Sequence, residues 1–202
     1  MRRRRTERAE AQRGWLSRAG ARAHAQRSGV VKKHVVLIGL PGAGKTTVGR
    51  IVAERLHAGF VDIDTILIRK EGKPIAMIFA EKGESAFRDM ERKEVETALS
   101  NQPAVVVPGG GWAAQPGALD AAKPRGYFVY LKARAEVAAG RAVPSGTRPV
   151  LMGGDPAEQM RELFKTRDPF YARADATVQT EAKPAEKVAD EVVRLAQTSA
   201  GW

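Results

Sequence analysis

Residues 35–47 read Val-Val-Leu-Ile-Gly-Leu-Pro-Gly-Ala-Gly-Lys-Thr-Thr, an apolar run that enters a glycine-rich loop and leaves it on a lysine and two threonines. No other stretch restricts the fold as much. The run beginning at His34 is apolar on both faces and reads as a buried strand over about 34–38. Behind the loop, Val48, Ile51, Val52 and Leu56 recur at helical spacing, so a helix is expected over about 45–57. The loop matches G-x-x-x-x-G-K-[ST] between that strand and that helix. Its glycines let consecutive backbone N–H groups turn inward about phosphate oxygens, and the helix N-terminus adds positive partial charge. Gly42, Ala43, Gly44 and Thr47 would form the cradle. Lys45 would reach the β and γ phosphates, and the Thr46 hydroxyl would ligate Mg²⁺, which implies ATP bound with magnesium.

The remainder alternates apolar strands with helical segments, the pattern of a parallel sheet covered by helices. Further strands are expected at about 59–61, 104–107, 127–131 and 175–179. Helices are expected at about 63–71, 75–82, 84–100, 116–121, 134–141, 156–172 and 184–197. The predicted class is α/β, with five parallel strands. One segment fits neither pattern: Ala142-Val143-Pro144-Ser145-Gly146-Thr147-Arg148-Pro149, continuing through Gly153 and Gly154. Its prolines and glycines predict a mobile loop of the kind that serves as a lid, with Arg148 inside it and Arg141 at its edge.

Other residues carry chemistry only in combination. Phe60-Val61-Asp62-Ile63-Asp64 sets two carboxylates at the carboxyl end of a strand, where ligands sit in open α/β sheets. One could support the Mg²⁺ shell while the other accepts a proton from an attacking hydroxyl. Either could also cap the helix that begins near Thr65. Arg88, early in one long helix, and Arg167, late in another, read singly as surface charges, Arg88 in reach of Glu84, Asp89 and Glu91. Val105-Val106-Val107-Pro108-Gly109-Gly110-Gly111-Trp112 runs a strand into three glycines, either a plain strand-ending turn or a place where something approaches the backbone closely.

Composition narrows the class. With 202 residues and 43% hydrophobic content, the chain can bury one sizeable core. No apolar run approaches the roughly 20 residues of a membrane span. The absence of cysteine excludes disulfides, zinc–thiolate sites and thiol nucleophiles, and fits a cytoplasmic setting. His24, His34 and His57 are too scattered to form a histidine metal cage.

Net charge is +11, and residues 1–33 hold 11 Lys or Arg against 2 Glu, leaving 23 against 21 for residues 34–202. The basic character thus belongs to a tail with few apolar residues, expected to be disordered or loosely helical. Contact with nucleic acid or an anionic membrane, organelle targeting, a remnant linker, or a solvated extension without a role all remain open for it. The domain reading is therefore 1–33 as extension and 34–202 as the folded body. That body is expected to be a monomer acting on a small molecule, with no membrane attachment and no nucleic-acid contact outside the tail.

Together the segments GLPGAGKTTVGR, FVDIDTILI, IFAEKGESAFRDMER, VVVPGGG, TRPVL and RDPFYARAD resemble the shikimate kinase family, over about Val35 to Leu195. The resemblance implies a three-layer P-loop kinase fold with a lid, and ATP-dependent phosphorylation of the 3-hydroxyl of shikimate, a step toward chorismate and the aromatic amino acids. It implies that Lys45 and Thr46 bind phosphates and Mg²⁺, with Asp62 in the metal shell. Asp64 would be the base and hold substrate hydroxyls. Arg88 and Arg167 would clamp the substrate carboxylate, Gly109, Gly110 and Gly111 would pass backbone along the ring, Arg148 would close over the transferring phosphoryl group, and Arg141 would stack on adenine. This chain has Pro41 and Thr46 where the family commonly has Met and Ser, Arg69 where an acidic residue is usual, and Pro74 for a common Ser. The stretches VYLKA, TRP and YARADATV are also similar to the shikimate-kinase-like domain of regulators that sense benzoyl-coenzyme A. That gives an alternative, a ligand-sensing module without catalysis.

Overall fold

The three valines that enter the glycine run belong to a strand that lies between one edge strand and the central strand of the sheet. A computed structural model describes residues 31–142 and 155–202. Residues 32–202 make up one unit. The expected N-terminal extension falls outside the described residues except at its last three positions, and so do Arg148 and residues 143–154, where the lid was expected.

Along the chain come β1 (His34–Ile38), α1 (Lys45–Arg55), β2 (Gly59–Asp62), α2 (Ile63–Glu71), α3 (Ile75–Leu99), β3 (Ala104–Val107), a 3₁₀ turn (Trp112–Ala114), α4 (Ala118–Ala122), β4 (Gly126–Lys132), α5 (Ala135–Ala142), α6 (Pro156–Tyr171), β5 (Ala176–Gln179) and α7 (Ala185–Ser199). All five strands are parallel, in the order β2-β3-β1-β4-β5. Such strands are buried on both faces, which is why β3 and all of β1 after His34 are uninterrupted apolar runs, with every residue of both strands buried. Period-two alternation sorts their side chains. Leu37 points with α1, where an added Cβ on Gly49 would press on it, while Phe128 and Tyr130 point to the opposite face and meet Trp112 and Tyr171. Helices therefore cover both faces.

The expected helices at 75–82 and 84–100 are the two helices of α3, separated at Gly83, whose backbone is not helical (φ 78°, ψ 167°). Glycine allows that non-helical backbone without a Cβ clash. The helix expected at 116–121 starts two residues later, behind Gly117 (φ 73°). The 3₁₀ turn was not foreseen, because three residues carry no periodicity to read.

His34 opens β1 almost fully buried, its Nδ1 accepting from the Ala104 N–H at 3.2 Å. Burial lowers its pKa below the usual 6.5, with Arg125 adding to the effect and the carbonyls of Asn101 and Leu99 opposing it. As pH falls, the unfolded chain takes up this proton before the folded one does. The stabilisation is thus complete above about 6.5 and is lost as pH falls toward the folded value. Thermal melts of wild type and His34→Gln between about pH 7.5 and 5.5 check this, the wild type showing the steeper loss toward acid. Directly before His34, Lys33 donates its N–H to the Ala200 carbonyl and receives Trp202 Nε1 on its own carbonyl at 2.9 Å, so the C-terminus closes against the start of the sheet.

Candidate active site

The phosphate loop is shaped by its glycines. Gly42 sits at φ 79°, and a Cβ there would run into the Ala138 carbonyl of α5. Gly44 precedes α1 at φ 90° and ψ 13°. These left-handed positions turn the chain so that the N-terminus of α1 opens toward the carboxyl end of the sheet. Lys45 is 5% exposed and donates from Nζ to the carbonyls of Gly39 and Leu40, both at 2.9 Å. Its ammonium is thus held over the loop by neutral carbonyls, against which phosphate oxygens are the stronger acceptors.

The next turn joins this loop to the second strand. Thr46 Oγ1 donates to Asp62 Oδ2 at 2.8 Å, and Asp62 Oδ1 accepts the Thr65 N–H at 3.1 Å. Asp62 therefore caps α2 with one oxygen and faces the phosphate loop with the other, so capping and site chemistry fall on one residue. Asp64 lies in the first turn of α2.

Two cavities meet here. One is lined by Gly42, Gly44, Lys45, Thr46, Thr47 and Arg141, and the other, of about 200 Å³, by Asp64, Arg88, Gly109, Gly110, Gly111 and Arg167. Thr46, Asp62 and Asp64 line both. Among the expected site residues, Ala43 is buried beneath the loop and lines neither cavity. Arg141 donates to the Thr180 carbonyl at 3.4 Å.

The second cavity has a charged floor. Arg88 Nη1 donates to Glu91 Oε2 at 2.8 Å, and its Nη2 and Nε donate to Glu84 Oε1 at 3.1 and 3.3 Å. Glu91 is fully buried, and Gln115 Nε2 donates to its Oε2 at 3.2 Å, while Oε1 has no hydrogen-bond donor among the described residues. Burial raises the Glu91 pKa. The Arg88 charge and hydrogen bond oppose this, Asp64 adds to it, and Arg167 opposes it. For Arg88, burial works against the charge, but Glu91 and Glu84 outweigh it and the pKa is raised further. Arg88 is thus both paired, as a surface reading would have it, and part of a cavity wall. Its fork is split between the buried Glu91 and the exposed Glu84, and only Glu84 can leave without stranding a charge in the interior.

The glycine run is explained by what presses on it. None of Gly109, Gly110 and Gly111 has a positive φ. A Cβ on Gly109 would land on Glu91 Oε1 and 3.0 Å from Asp64 Oδ1, and one on Gly111 would collide with the Arg88 guanidinium. Close approach, not turn geometry, requires glycine here. Trp112 lies off this wall, 2% exposed and stacked on Phe128 with ring centroids 6.1 Å apart. Tyr171, also buried, donates its hydroxyl to the Gly110 carbonyl, which ties the glycine wall to the helix that carries Arg167. Glu91, Gln115 and Tyr171 were given no role by sequence reasoning. For Glu91 the available signal was its place in F-R-x-x-E, one turn after Arg88.

The donor set suits a magnesium ion. Among the described residues no group of three or more His, Cys, Asp or Glu side chains could hold a metal. A hydroxyl and a carboxylate 2.8 Å apart, with room for phosphate oxygens and water, match the way Mg²⁺ is held.

The five-stranded parallel sheet, the glycine-shaped anion cradle and the second cavity against it define a phosphotransferase of the P-loop kinase fold. The family model described as shikimate kinase matches residues 41–197. A shikimate kinase of Caldanaerobacter subterraneus is 39% identical over 162 residues, covering 80% of this chain and 95% of its own. One of Mycobacterium avium is 40% identical over 168 residues, covering 82% and 94%. Among solved structures, a shikimate kinase from Acinetobacter baumannii in complex with shikimate superposes with a TM-score of 0.79 at 35% identity, covering 83% of this chain and 94% of that one. A gluconokinase from Sinorhizobium meliloti, at 21% identity and a TM-score of 0.57, shares the fold. The chain belongs to the shikimate kinase family. No helix among the described residues is long and apolar enough to cross a membrane.

Proposed function

We propose that this protein transfers the γ-phosphoryl group of ATP to the 3-hydroxyl of shikimate, binding ATP with Mg²⁺ in the phosphate-loop cavity and shikimate in the cavity beside it. The observation that carries this reading is the shared wall: a hydroxyl and two carboxylates stand where the nucleotide cavity and the acceptor cavity meet. A kinase needs donor and acceptor oxygens in line at such a boundary, and positioning supplies much of the acceleration.

In this mechanism Arg88 and Arg167 fix the substrate carboxylate at the far end of its cavity, the carboxylate displacing Glu84 from Arg88. Asp64 accepts the proton of the attacking hydroxyl as its oxygen forms a bond to the γ-phosphorus and the bond to the departing ADP oxygen breaks. Lys45 exchanges its carbonyl partners for phosphate oxygens and follows the charge toward the leaving group. Thr46 and Asp62 hold the magnesium ion, which neutralises phosphate charge when bound. Arg141 lies along the nucleotide. Arg148 is assigned to the transferring phosphoryl group by family resemblance alone.

No feature of the site favours the ligand-sensing alternative. A coupled assay of ADP release separates the two readings. ADP formation is expected to rise with shikimate and saturate, whereas unchanged ADP release together with tight binding of a coenzyme A thioester would overturn the kinase reading.

A further inference from the structure

A third cavity, of about 270 Å³, lies behind the acceptor site between α3, the 3₁₀ turn and α4. Val95, Leu99, Trp112 and Ala121 give it apolar walls, with Arg92, Arg125 and the exposed Glu96 at its edge. Nothing in the phosphotransfer mechanism uses it. Apolar walls with a few polar groups are the usual make-up of a small-molecule site. Trp112 is held rigid by its stack on Phe128, so one wall is preorganised. Arg92 is engaged by Asp89. Arg125 is half-buried, and among the described residues its side chain donates to the neutral Ser100 hydroxyl at 3.0 Å. Its charge is therefore available for an anion.

One lining residue bonds to a residue in the wall of the acceptor cavity. Gln115 lines this cavity and donates to Glu91 Oε2, the oxygen that also receives Arg88. Trp112, in the same wall, directly follows Gly111. A ligand that shifts Gln115 or the 3₁₀ turn would thus disturb both the Arg88 pair and the glycine wall.

We propose that this cavity is a second ligand site, for a small molecule with an aromatic or alkyl body and one carboxylate, whose occupancy is transmitted to Arg88 through Gln115 and Glu91. The body lies against Trp112 and Leu99, and the carboxylate meets Arg125. Coupling between two sites is reciprocal, so acceptor binding alters the affinity of this ligand by the same factor. The coupling rests on shikimate as the acceptor, whereas the binding itself does not.

Calorimetric titration of the full chain with 3-phenylpropionate, and with its neutral amide, tests this. Saturable binding of the acid is expected, about tenfold tighter than the amide for one charge-assisted contact. The acid is expected to change shikimate affinity by about fivefold. Ala121→Trp, which fills the cavity from an exposed position, should abolish acid binding and, with it, any effect of the acid on shikimate affinity. Arg125→Gln should erase the preference for acid over amide. Lack of saturable binding at about 10 mM, equal binding to the Ala121→Trp protein, or self-association of the chain through this face would overturn the site. Binding without any change in shikimate affinity would overturn the coupling. If shikimate itself does not bind, the kinase reading fails while the probe titration still decides the site.

Discussion

Asp64→Asn is expected to lower kcat by about a thousandfold, the range lost when a positioned general base is removed, with nucleotide affinity intact. The amide keeps the shape and one acceptor oxygen of the carboxylate, but it cannot take the hydroxyl proton. Asp62, not Asp64, makes the capping bond of α2, so the helix start survives the change. Lys45 and Thr46 are likewise untouched, which is why the nucleotide cavity should bind as before. Single-turnover measurements of phosphoryl transfer, alongside a direct titration of nucleotide, check both halves. A turnover number equal to that of the wild type would remove Asp64 from the role of base.

Arg88→Met is expected to have two separable consequences. The first is a rise in the KM for shikimate of about 100-fold, equivalent to about 2.7 kcal/mol for a lost bidentate ionic contact, with the KM for ATP nearly unchanged. The second is a loss of stability. Glu91 is fully buried, and Arg88 is its ionic partner at 2.8 Å. Removing one member of a buried pair costs about 3 kcal/mol because the other is left as an uncompensated charge.

The pH dependence identifies the cause. Glu91 already has a raised pKa, since burial outweighs Arg88, and without Arg88 it rises further. A carboxyl group whose folded pKa lies above its unfolded value stabilises the fold below the unfolded pKa, near 4.5, and that contribution is lost as pH rises through the folded value. The deficit of the variant relative to wild type should therefore be small near pH 4.5 and grow toward pH 8. Urea denaturation at the two ends of that window measures it. A deficit independent of pH would mean that lost packing, not the stranded Glu91 charge, is responsible.

Much of the fold was legible because its signals are local. The strand runs, the helical repeats behind them and the positive-φ glycines of the phosphate loop lie within a few residues of what they determine, and Gly83 marks its own break in α3. Asp62 and Asp64 were legible as a pair, and the cap that Asp62 makes is local, but its contact with the hydroxyl of Thr46, sixteen residues earlier, comes from packing. The glycine run shows the boundary most clearly. Read by itself, the run favoured a strand-ending turn, with a close approach to the backbone as the alternative. The approaching groups come from α2 and α3, and their distance from the Gly109 and Gly111 α-carbons is a property of packing.

The sequence by itself determined the parallel α/β architecture, the anion cradle and the types of side chain available to the site. Tertiary structure alone decided that Glu91 is buried under Arg88, that Gln115 links it to the third cavity, and that Trp112 turns onto Phe128 and away from the acceptor wall. The first set follows from backbone conformation and apolar periodicity, which are written over a few consecutive residues. The second depends on helices and strands far apart in the chain meeting in space, where burial sets the cost of each charge.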